Sequence, residues 1–185
     1  MPRPPLLPTI DWRFAHGQGL RFQDWLAQAE YPDHAERMRD LFASTEILAE
    51  VAADIVDLGR DVYVAVIAED WCGDVVRHAP VLEKIATLNN RIHIRYLRRD
   101  FDPSLFARFL TNGGEAIPKF IFLNDQFVET GNWGPMPSEC RRLIARGKAA
   151  GDVGAARKKV SAFYDADPHC HAAQRELAAL VLDAA

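Results

Sequence analysis

The chain is poor in cysteine. Cys72, Cys140 and Cys170 are its three thiols, far apart in sequence. Thiols so few and so spread do not build a disulfide framework, and a reduced, cytoplasmic protein is the expectation. Positive charge is not in excess either. Lys plus Arg is 22 against 26 Asp plus Glu, a net charge of −4, which argues against nucleic-acid binding driven by phosphate contacts. No apolar run approaches the ~20 residues that cross a bilayer, so no membrane span is expected. The Met1–Trp12 segment is proline-rich and lacks the apolar stretch of a signal peptide. Internal repeats and low-complexity segments are absent. His169-Cys170-His171 has metal-ligand residue types, but neighbouring residues on a helix point in different directions. With no second ligand cluster to complete a site, no metal is expected.

What is present centres on Val62–Leu82, VYVAVIAEDWCGDVVRHAPVL. Val62–Ala68 is a continuous apolar run rich in β-branched residues, the pattern of a strand buried on both faces. Val75, Val76, Ala79, Leu82 and Ile85 then recur at helical spacing. Cys72 therefore falls where a buried strand hands over to a helix. Free backbone N–H groups and the helix dipole stabilise a thiolate there. Glu69, Asp70 and Asp74 oppose it by like charge, and Arg77 and His78 can compensate. The net sign is open at this level.

Trp71-Cys72-Gly73 with Ala79-Pro80-Val81-Leu82 resembles the active-site turn and following helix of the thioredoxin family. Ala116-Ile117-Pro118-Lys119-Phe120-Ile121-Phe122-Leu123 resembles a second patch of that family, in the right order. The resemblance implies a thioredoxin-like α/β fold: a central mixed sheet flanked by helices, with N- and C-terminal helical extensions. It implies a cis Ile117–Pro118 bond facing the Cys72 turn, catalysis by Cys72, and a binding rim of Trp71, Gly73, Asp74, Ile117, Pro118 and Trp133. One departure matters most. The family motif is Cys-x-x-Cys, and here it reads Cys72-Gly73-Asp74-Val75, without the resolving thiol. The family's buried acid in the preceding strand is also missing from VYVAVIA. Cys140 is the candidate replacement for the resolving thiol, set against a plain buried cysteine, the commoner state of a free thiol.

The expected organisation is an N-terminal arm and helical extension over 1–60, a core over 61–148 and a C-terminal helical extension over 149–185, packed as a single domain. Residues 1–19 should form an extended arm. Leu20–Glu30 and His34–Phe42 read as helical faces. Ser44 is placed as N-cap of a helix with Ile47, Leu48, Val51, Ile55 and Leu58 on its stripe. Arg91–Leu97 should be a strand parallel to the Val62 run. Asp102 should cap a helix with Leu105, Phe106, Phe109 and Leu110 facing the core. Lys119–Leu123 and Gln126–Thr130 should form a hairpin with a two-residue turn at Asn124-Asp125, followed by a loop over 131–137. Helices are expected over 137–148, 155–164 and 168–183. The basic run Arg141, Arg142, Arg146, Lys148, Arg157, Lys158 and Lys159 reads as a solvated face.

Two functions fit this reading. One is a single-cysteine thiol–disulfide oxidoreductase or redox-responsive protein acting on protein or peptide disulfides, with no bound cofactor and with glutathione or another small thiol to release the product. Arg98 and Arg99, at a strand end, are candidates to hold such a thiol's carboxylate. The other is a noncatalytic binding or scaffold module using the groove around Trp71, Pro118 and Trp133. The terminal helices offer a surface for self-association in either case.

Overall fold

The computed structural model describes Leu7 and residues 9–185. Among these, a four-stranded mixed sheet runs in the order β2-β1-β3-β4. β1 (Val62–Ile67) is central, parallel to β2 (Ile92–Leu97) and antiparallel to β3 (Lys119–Leu123), which pairs antiparallel with β4 (Glu129–Trp133). Both neighbours and both faces of β1 are covered, so the unbroken apolar run has no solvated side to alternate with.

Helices cover both faces. α5 (Gly73–Ala86) crosses from β1 to β2. It packs with α3 (Pro32–Ser44) and α9 (His171–Ala184), and α9 also lies on β3, β4 and α4 (Ala49–Val56). Val75, Val76, Ala79, Leu82 and Ile85 of α5 are buried as the helical spacing requires. Burying each of the valine, leucine and isoleucine side chains is worth about 1.5–3 kcal/mol. α1 (Trp12–Gln18) packs on β1 and β2, with His16 edge-on to Tyr63. Trp12 also meets Phe109, 6.0 Å between ring centres. α2 (Phe22–Ala27) stacks Trp25 on Tyr96 at 4.7 Å, beside an antiparallel bridge of Leu20 to Tyr96.

Four local expectations give way. The expected arm over 1–19 contains α1, because the Asp11 carboxylate accepts from Phe14 N and caps it; residues 1–6 and 8 of that arm lie outside the described residues. Ser44 is the last residue of α3 and donates to Asp40 O. α4 begins five residues later, and its preceding amide, Leu48 N, is capped by Gln174 of α9. Leu110 is 42% exposed: α6 is only Pro103–Phe106, a 3-10 turn follows to Phe109, and the extended backbone at Leu110 turns it outward. The β3–β4 connection spans 124–128 rather than two residues. The Asn124 carboxamide accepts from Gln126 N and Val128 N, and Phe127 at φ +62° lays its ring 4.1 Å from that of Tyr63.

Gly134, just after β4, has φ +118°, and an added Cβ would sit 2.0 Å from Pro118 O. Neither the backbone conformation nor the space accepts a side chain. Gly134→Ala should therefore cost about 1–3 kcal/mol, read as a lower urea midpoint at unchanged slope. A loss below about 1 kcal/mol would mean that this close approach does not hold the two segments together.

Candidate functional site

Cys72 is the N-cap residue of α5, with extended backbone, and its carbonyl accepts from Val76 N at 3.0 Å. Its Sγ lies 3.4 Å from Ile117 O, as donor to that carbonyl. Ile117–Pro118 is cis. Trp71, beside the thiol, is 44% exposed, while Ile117 is buried. Gly73 opens the helix with nothing within 4 Å of where its Cβ would be. The thiol, an exposed indole and a backbone carbonyl thus lie together at the C-terminal end of β1, where parallel strands and helix N-termini commonly build sites.

The charges nearest the thiol are mostly spoken for. Asp70 is buried and accepts from Tyr31 N at 2.7 Å, while its carbonyl meets His34 Nδ1 at 2.8 Å. Glu69 accepts from Arg99 N at 2.8 Å. Asp74 accepts from the Tyr164 hydroxyl at 2.7 Å. Arg77 lies over the Tyr164 ring and donates to the carbonyls of Tyr164 and Asp167 at 3.0 and 2.5 Å. Buried His78 places Nδ1 2.9 Å from Asp74 O, and burial pushes its pKa down to about 3, so it is neutral.

The sign left open by the sequence resolves toward the thiol. Burial pushes the Cys72 pKa above its ordinary value. The backbone amides of Val75 and Asp74 pull the other way, Asp74's charge adds to the rise, and Arg99 lowers it again. Donation of the thiol S–H to Ile117 O favours the protonated form as well, since only that form can make the bond. Burial likewise raises Asp74, against the Tyr164 hydroxyl and Arg77.

No second thiol stands beside Cys72 on the first turn of α5. Val75, one helical turn after Cys72, is fully buried. Cys140 is also fully buried, and burial pushes its pKa up to about 11. Both Cys72 and Cys140 are free thiols. Trp133 leaves the expected rim. It belongs to β4 rather than a loop, is 2% exposed, stacks on Phe120 and donates Nε1–H to Glu176 at 2.6 Å. Arg98 pairs with Glu30 and Asp100, and Arg99 pairs with Glu115. Among the described residues no group of three or more His, Cys, Asp or Glu side chains could hold a metal, and no helix is long and apolar enough to cross a membrane. The sequence reading missed Tyr31, Tyr164 and Glu176; each meets its partner across more than thirty positions, with no local pattern to mark it.

A mixed sheet with a cysteine at the N-cap position of the helix after β1 and a cis X–Pro bond just before β3 defines a thioredoxin-like protein. The thioredoxin family model matches residues 19–150, and the chain belongs to the thioredoxin family. The comparison with curated proteins gives no match. Solved structures share the fold. A protein of unknown function from Pseudomonas aeruginosa superposes at TM-score 0.74 with 15% identity, over 96% of this chain and all (100%) of that one. An HIV epitope-scaffold superposes at 0.72 with 14% identity, over 95% of this chain and 100% of its own.

Proposed function

We propose that this thioredoxin-family protein is a single-thiol exchange protein that holds a partner cysteine as a long-lived mixed disulfide. The observation that carries the reading is Val75, fully buried where a resolving thiol would have to stand. The Cys72 thiol loses its proton to solvent, and the thiolate attacks one sulfur of a partner disulfide. The Cys72–partner S–S bond forms, the partner's own S–S bond breaks, and its second sulfur leaves as a thiolate. With Val75 inert and Cys140 buried, release requires an external thiol such as glutathione. Trp71 and the Ile117 carbonyl supply a ridge for an extended partner segment.

The noncatalytic module is favoured by the burial that raises the Cys72 pKa. The two readings part on whether Cys72 exchanges at all. The rate of Cys72 reaction with a small aromatic disulfide, followed against pH, decides. Because the folded thiol titrates above its ordinary value, the rate should keep climbing beyond the pH at which a free cysteine peptide has levelled off. A rate that stays near zero at every pH favours the module. A rate already level near neutrality contradicts the neutral resting thiol.

A further inference from the structure

Beside Ile117 lies a hollow of about 500 Å³, the size of a pocket that takes a few side chains or a small ligand. Two helices wall it. α7 (Ser138–Ala149) contributes Arg141, Ile144 and Lys148, and α8 (Val153–Ala166) contributes Val153, Arg157 and Val160. Within each helix these positions recur at three, four or seven residues, so each set is one stripe. Apolar and cationic side chains alternate along both. α8 lies beyond the residues matched by the family model, so this wall is added by the chain's own extension.

The charges of the hollow do not cancel locally. Its two carboxylates are engaged elsewhere, Asp74 by the Tyr164 hydroxyl and Glu115 by Arg99. Arg141 donates to Met136 O at 2.6 Å. Neither Lys148 nor Arg157 is in any ion pair among the described residues. A chain with net charge −4 thus gathers unpaired cations around one apolar hollow. Ile117 belongs to both features: it lines the hollow, and its carbonyl accepts from the Cys72 thiol.

We propose that the α7–α8 hollow docks an acidic peptide segment of the partner, with an apolar side chain in the hollow and carboxylates on Lys148 and Arg157. This rests on the exchange reading above and names the partner chemistry for it. The apolar lining favours such a peptide over a nucleic acid, whose phosphates would gain only the cations.

The test uses full-length Cys72→Ser protein and a short fluorescein-labelled peptide in which leucine is flanked by glutamates. Anisotropy should show it binding at least about tenfold tighter than its lysine-flanked twin, a difference of about 1.4 kcal/mol, and weakening with salt. Lys148→Glu with Arg157→Glu, both exposed positions, should reverse the preference. Equal affinity for the two peptides, indifference to the charge reversals, or tighter binding of an oligonucleotide of equal charge would overturn the proposal. Wild-type protein offered an uncharged peptide disulfide separates the two readings. If a mixed disulfide forms but glutamates bring no preference, exchange stands and docking falls. If the glutamate peptide binds and no mixed disulfide ever forms, docking stands and exchange falls.

Discussion

Val75→Cys is expected to form an internal disulfide with Cys72 and to raise dithiothreitol-driven reduction of insulin by at least about tenfold over the wild type, since a thiol held in the same molecule acts at an effective concentration on the order of millimolar or more. Residue 75 follows Cys72 by three positions on the first turn of α5, so both side chains lie on one side of it. Val75 is fully buried, and a buried cysteine behaves as a small hydrophobe, so the fold should lose only about 1 kcal/mol. The gain has a ceiling. Burial still raises the Cys72 pKa and the Asp74 charge adds to it, so the attacking thiolate stays scarce at neutral pH. Absence of an internal disulfide under mild oxidation would show that the start of α5 lacks the dithiol geometry. A disulfide without any gain in reduction would mean that the ridge of Trp71 and Ile117 serves binding alone.

Cys72→Ser should abolish mixed-disulfide formation with peptide disulfides to below about one-hundredth of the wild-type rate, because the hydroxyl does not ionise in the working pH range and cannot replace the thiolate. Cys140→Ser and Cys170→Ser should leave the rate within about twofold. Both residues are buried, and burial pushes each pKa up to about 11, so neither offers an accessible thiolate. Intact mass after a timed exposure to the peptide disulfide reads all three variants. Retention of the adduct in Cys72→Ser would move the chemistry to another thiol and end the single-thiol account.

The parts of this architecture legible in the sequence are those written in short-range pattern. Val62–Ala68 has no polar position at which a strand face could meet water, and it is the central strand. The switch to helical spacing after Cys72 placed the thiol at the start of α5. The cis Ile117–Pro118 bond came from the family resemblance rather than from spacing. What was not legible depends on distant partners. A helix whose preceding amide, Leu48 N, is bonded by Gln174, 126 positions on, carries no local capping signal at its own start. Trp133 looked like a rim residue because Gly131, Gly134 and the prolines around it read as a loop. Asn124 instead holds a longer connection, which shifts β4 onto Glu129–Trp133 and turns the indole toward His78 and Glu176. Asp70 and Asp74 read from sequence as free charges; Tyr31 N and the Tyr164 hydroxyl hold them in place, while the Asp74 charge still opposes a Cys72 thiolate as the sequence implies. Burial, which no local pattern encodes, then decided the direction of the Cys72 shift.

That Cys72 works alone is tested most directly by loading wild-type protein with glutathione disulfide, removing the excess, and following intact mass with time. A single glutathione adduct on Cys72 that persists until an external thiol is added is the predicted result. Spontaneous loss of the adduct with formation of an internal disulfide would reveal a resolving thiol within the chain and contradict the account.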